Sequence, residues 1–129
     1  MEACSCIVVD DYDSADFYNS TIRKARKIHQ CSECEREIMP NETYEYVVGK
    51  WDKKLMNFKT CSDCLSIRTV FFCAGFMHQE VIGGLVEHVG YMDGQISSSC
   101  LIQLTPRARE FVCEVIEEKW KELDEDEED

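Results

Sequence analysis

A chain of 129 residues with 44% hydrophobic and 10% aromatic residues has the length and composition of one globular domain, and it argues against general disorder. No apolar run approaches the about 18 residues of a membrane span, and residues 1–9 lack the basic start and apolar stretch of an export signal, so the expectation is a cytoplasmic protein with no membrane partner. The net charge of −12 is divided unevenly, as −5 over residues 1–19, +3 over residues 20–70 and −10 over residues 71–129, so total charge alone does not choose a partner.

In chain order, residues 4–9 (Cys-Ser-Cys-Ile-Val-Val) read as a short extended approach to the acidic loop of Asp10, Asp11 and Asp13. A helical turn is expected over residues 14–19, followed by an extended segment over 21–29. Residues 38–42, with Pro40 and Asn41, mark a turn. Tyr44, Tyr46 and Val48 then alternate as a strand does. Residues 49–52 are expected to turn the chain and residues 55–58 to return it, which makes a hairpin. Ser62 and Asp63 are suitable caps for a helix running to Gly75. A second helix is expected over residues 79–88, despite Gly83-Gly84, then a loop over 90–99 and a short strand over 100–104. Thr105-Pro106 is a helix start, after which Ala108, Phe111, Val112, Val115, Ile116 and Trp120 recur at three- and four-residue spacing on one face. Residues 124–129 are all acidic and have nothing to bury.

Nine cysteines are many for this length, and with no export signal the expectation is reduced thiols and metal ligation rather than disulfides. Cys31-Ser32-Glu33-Cys34 and Cys61-Ser62-Asp63-Cys64 are two CxxC pairs flanking the hairpin. Two intervening residues let both sulfurs of a pair face one ion, and the hairpin brings the second pair round to complete a tetrahedron, so one structural zinc on Cys31, Cys34, Cys61 and Cys64 is expected. The second pair opens a helix, whose positive end stabilises thiolate. Knuckle, hairpin and helix in that order describe an α+β fold of treble-clef or zinc-ribbon type with additional C-terminal helices. Cys4, Cys6, Cys73 and His78 are the candidate ligands of a second zinc, against the plainer reading of buried thiols and a surface histidine. Cys113 falls beside the apolar face of the last helix.

The organisation expected is an acidic segment over 1–20, a zinc-binding domain over 21–90, a loop and amphipathic helix over 91–123, and a disordered acidic tail over 124–129. The run from Arg23 to Cys34, then Ile38, Pro40, Glu42 and Tyr44, Gly49-Lys50-Trp51-Asp52, Phe58-Lys59-Thr60-Cys61 and Phe72-Cys73, resembles a group of small zinc-binding proteins encoded by bacteriophages and prophages. The likeness covers about residues 3–90, with Asn41 where the group has Gly. It implies a treble-clef or zinc-ribbon-like fold and a phage setting, hence host cytoplasm, and carries over no activity.

No Ser/His/Asp set, HExxH, phosphate-cradling glycine loop or deaminase pattern is present, so an enzyme is not expected. Two kinds of partner remain. The acidic last helix, through Glu114, Glu117, Glu118 and Glu122, suits a basic protein partner, such as a host protein or defence complex that the chain would inhibit. Arg23, Lys24, Arg26, Lys27, Lys50, Lys53, Lys54 and Lys59, interleaved with Tyr44, Tyr46 and Trp51, suit a nucleic acid. The protein partner is the first expectation and the nucleic acid the alternative.

Overall fold

The alternating residues Tyr44, Tyr46 and Val48 lie in the central strand of an antiparallel sheet, paired with a neighbouring strand on each side. The computed structural model describes Ile7, residues 17–72 and residues 76–127. The extended stretch and acidic loop expected before residue 14, apart from Ile7, lie outside the described residues. So do residues 14–16 of the expected helical turn, residues 73–75 and residues 128–129.

The elements run β1 (Phe17–Lys24), β2 (His29–Gln30), β3 (Glu37–Ile38), β4 (Thr43–Trp51), β5 (Lys54–Cys61), α1 (Ser62–Phe71), α2 (Val81–Tyr91), α3 (Ser98–Leu101) and α4 (Pro106–Glu127). The fold is therefore α+β. Strands β1, β4 and β5 form one sheet in the order β1-β4-β5, and β2 and β3 pair separately around the first cysteine pair. Thr21 stands opposite Tyr46, and Val47 opposite Phe58. Since side chains alternate along a strand, that register puts Tyr18, Ser20, Glu45, Val47, Trp51 and Phe58 on one face, and Phe17, Arg23, Tyr46, Val48, Lys50 and Lys59 on the other. The first face receives α1. Glu45 there is buried and accepts both Arg68 Nη groups, at 2.8 and 2.7 Å, with a third bond from Ser20 at 3.0 Å. Burial would raise the Glu45 pKa, but the Arg68 guanidinium outweighs it and holds the carboxyl below the usual range.

Two buried clusters result. The larger joins Ile67, Phe71, Leu85, Val89, Val112 and their neighbours across α1, α2 and α4. The smaller gathers Ala25, Ile38 and Tyr44 around Cys31, Cys61 and Cys64.

Several expectations change. Phe17, Tyr18 and Asn19 are strand rather than a helical turn, because β4 offers them a ladder. The turn comes later than expected: residues 49–51 stay in β4, which runs through Trp51, and the turn is Asp52-Lys53, both at positive φ (50° and 65°), as a two-residue hairpin of the I′ kind requires. Gly49 stays in the strand because a Cβ there would collide with the Trp51 ring folded over it. Helix α1 is capped by Cys61, not by Ser62 or Asp63, and ends at Phe71. Residues 100–104 are not a strand; Ser97 caps the short helix α3 there. Thr105 does cap α4, its Oγ1 accepting from the Ala108 N–H at 3.4 Å. That helix continues through Glu127, past the end at residue 123 that its apolar stripe suggested. Among the described residues no helix is long and apolar enough to cross a membrane.

Candidate metal centre

The first pair sits in the knuckle between β2 and β3, and the second at the junction of β5 with α1. Their four Sγ atoms all lie within 4.8 Å of one another, with no disulfide among them. Cys31 and Cys64 are 3.9 Å apart, and Cys34 and Cys61 3.8 Å. A tetrahedral ion with bonds of about 2.3 Å sets sulfur–sulfur edges near 3.8 Å, so the donor set fits zinc. Cys31, Cys61 and Cys64 are buried and Cys34 is exposed.

The electrostatics point the same way. Backbone N–H groups of Glu33 and Cys61 donate to Cys31 Sγ, and that of Cys64 to Cys61 Sγ, each at 3.4 Å. Hydrogen bonds from the Cys34, Cys61 and Cys64 thiols pull Cys31 far below the ordinary thiol range. Cys61 and Cys64 are pushed far above it by the neighbouring sulfurs and by burial. Cys34 is lowered to about 7, the Cys31 sulfur raising it and the Cys61 and Cys64 thiols lowering it more, so the site tolerates one or two thiolates readily and four only around a cation.

The residues between the cysteines tie the centre to the rest of the fold, which sequence spacing did not reveal. Ser32 accepts from the Lys59 N–H at 2.9 Å and donates its own N–H to the Lys59 carbonyl at 2.6 Å, fastening the knuckle to β5. Glu33 accepts from the N–H groups of Gln79 (2.8 Å) and Val81 (3.2 Å), capping α2, while burial raises its pKa against those two bonds. Asp63 accepts from the Thr105 hydroxyl at 2.7 Å and pairs with Arg36 at 3.0 Å; Arg36 also holds Glu42.

No family model matches the chain, and no curated protein or solved structure matches it either.

Of the candidate second metal set, Cys4, Cys6 and Cys73 lie outside the described residues. His78 is boxed by aromatic rings: stacked on Phe58 at 4.4 Å, with Phe76 at 5.0 Å and Trp51 at 5.9 Å. Burial, with Arg68 beside it, lowers its pKa to about 4. Among the described residues the four-cysteine cluster alone gathers three or more metal-ligating groups. Cys100 is disulfide-bonded, against the expectation of reduced thiols, while Cys113 is free and half-buried on α4.

The expected nucleic-acid contacts divide. Arg23, Lys24, Arg26 and Lys27 line one open cleft of about 1100 Å³ with His29 and Tyr44. Lys50 lies on the sheet face away from α1, and Lys53 and Lys54 at the hairpin tip. Trp51 does not join them. It lies on the α1 side, edge-on to Tyr18 and Phe58. Glu114, Glu117, Glu118 and Glu122 are all exposed on α4, and Glu122 lies 3.8 Å from Lys119.

Proposed function

We propose that this protein is a small interaction module organised by one structural zinc ion, held as four thiolates by Cys31, Cys34, Cys61 and Cys64 in a treble-clef arrangement. The observation that carries this reading is the sulfur geometry, with edges of 3.8 and 3.9 Å. The order of knuckle, β4–β5 hairpin and α1 start supports the treble-clef assignment. Four protein sulfurs leave no coordination position for water or substrate, so the metal supplies shape rather than chemistry. Metal analysis of the purified protein is expected to give one zinc per chain from this site, lost in Cys31→Ser/Cys64→Ser. Folded wild-type protein without metal refutes the reading.

The partner proposed for α4 is a protein with a basic surface, because Glu114, Glu117, Glu118 and Glu122 stand exposed along one helix. The resemblance of residues 3–90 to phage-encoded proteins supports a host protein, such as a defence complex, in the host cytoplasm. Reversing all four to Lys should abolish co-purification of that partner while zinc content stays at one, since like charges would then face each other. Unchanged co-purification refutes the α4 assignment.

A further inference from the structure

The sheet face opposite α1 has a composition unlike the rest of this acidic chain. The register puts Arg23, Lys50 and Lys59 on it together with Phe17 and Tyr46, and no described position of the face is Asp or Glu. Phe17 is 53% exposed although it is a large apolar ring. Arg23 lies over the Tyr46 ring, 4.3 Å from its centroid, with Nε donating to Thr21 Oγ1 at 3.2 Å, which fixes the guanidinium against the sheet. At the same end the chain leaves β1 into the open cleft, where Lys24, Arg26 and Lys27 join Arg23 and no lining residue is acidic. All four of these cationic side chains are exposed.

We infer that this face and the adjoining cleft bind single-stranded nucleic acid, with phosphates held in the cleft and bases stacked on Phe17 and on the Arg23–Tyr46 pair. Charge complementarity selects a polyanion: the cleft lining carries four cations and no carboxylate, in a chain whose net charge is −12. The aromatic content selects a polyanion with flat faces, since a ring or a guanidinium plane stacks equally well on any unpaired base, whereas bases inside a duplex are not available to it. The dimensions suit a short strand. From Phe17 to Arg23 the strand covers about 20 Å at ~3.3 Å per residue, room for a few nucleotides. The acidic outer surface of α4 is a separate surface, so this site and the protein contact proposed for that helix are independent, and the zinc reading is judged by metal content rather than by strand binding.

The test is fluorescence anisotropy of the full zinc-loaded chain with labelled twelve-nucleotide oligo-dT and oligo-rU, a twelve-base-pair duplex and a poly-Glu peptide as probes. Both single strands, or one in preference to the other, should bind more tightly than the duplex and poly-Glu. The affinity should fall with salt at a log–log slope of about −2 to −3, from three or four phosphates at ~0.7 each. Arg23→Ala/Arg26→Ala/Lys27→Ala should weaken binding about tenfold or more and flatten that slope; Arg26→Gln/Lys27→Gln serves if the triple variant loses its zinc or its circular dichroism. Phe17→Ala should weaken binding about fivefold with the slope unchanged, and Lys119→Ala/Lys121→Ala on α4 should leave it as it is. Any one of three results overturns the inference: no single-strand binding at 50 mM salt, duplex or poly-Glu binding as tight as the oligonucleotides, or wild-type affinity in the cleft variants or in Phe17→Ala.

Discussion

Chelation of the metal at neutral pH tests how the two buried clusters divide the stability of the fold. Around the sulfurs the buried residues other than the ligands are Ala25, Ile38 and Tyr44, and their burial contributes about 6 kcal/mol in all. The backbone hydrogen bonds that close residues 25–42 add roughly 7 kcal/mol at about 1 kcal/mol each. Against this, ordering about 18 residues at ~1.5 kcal/mol each costs about 27 kcal/mol. The shortfall of about 14 kcal/mol lies within the ~10–16 kcal/mol of a structural zinc site. The knuckle should therefore unfold when the metal leaves. The twelve-residue cluster, drawn mainly from α1, α2 and α4, contains none of the four cysteines of the site and should persist. Hydrogen exchange read on peptides is the assay: in excess chelator residues 25–42 should lose protection while residues 108–116 keep theirs. Protection of residues 25–42 retained in metal-free protein, or loss of the helices first, would refute the reasoning.

Arg68→Met leaves the Glu45 carboxylate buried without its partner and should cost about 3–5 kcal/mol, a fall of roughly 10–15 °C in Tm by thermal denaturation; less than 1 kcal/mol would mean that water reaches the pair. His78 is neutral in the fold down to about 4 but protonates from 6.5 in the unfolded chain, so its contribution is fully present above pH 6.5 and lost as pH falls through 4. Discounted for partial exposure this is about 1–2 kcal/mol, and the unfolding free energies from urea titrations at pH 7 and pH 4.5 should differ less in His78→Phe by that amount. Glu33→Ala removes the acceptor for the N–H of Gln79 and for the first N–H of α2, at Val81, and should cost about 1–2 kcal/mol with zinc content unchanged, measured by urea unfolding alongside metal analysis.

What could be read from the sequence was what depends on local chemistry. The metal set was legible because two CxxC pairs around a hairpin have few other uses, and the start of α4 because Thr105-Pro106 acts within one turn. Strand β1 carried no such signal: all eight of its residues are exposed, so it shows no buried alternation, and its pairing with β4 is decided by partners 19 to 33 residues away. The side on which Trp51 falls depends on where the hairpin turns. That turn uses Asp52 and Lys53 at positive φ where Asn-Gly would have announced it, so the register, and with it the composition of each face, stayed hidden. Residues 100–104 misled because a short apolar run does not distinguish a strand from a buried helical turn.

The positions between paired cysteines usually read as spacers, yet here they tie the cysteine cluster to the helices. Glu33 reaches from the knuckle to the start of α2, and Asp63 from α1 to both Arg36 in the knuckle and Thr105 at the start of α4. Glu33 accepts the Val81 N–H, the first of α2, and Asp63 accepts the hydroxyl of Thr105, whose own Oγ1 caps α4, so the residues between the cysteines hold one helix start directly and a second through its capping side chain. A metal bound by the four cysteines would in this way be linked to the placement of α2 and α4, although neither helix supplies one of the cysteines. On the proposed zinc reading, one ion would hold the acidic outer surface of α4 and the carboxylate-free face of the sheet in a fixed relation.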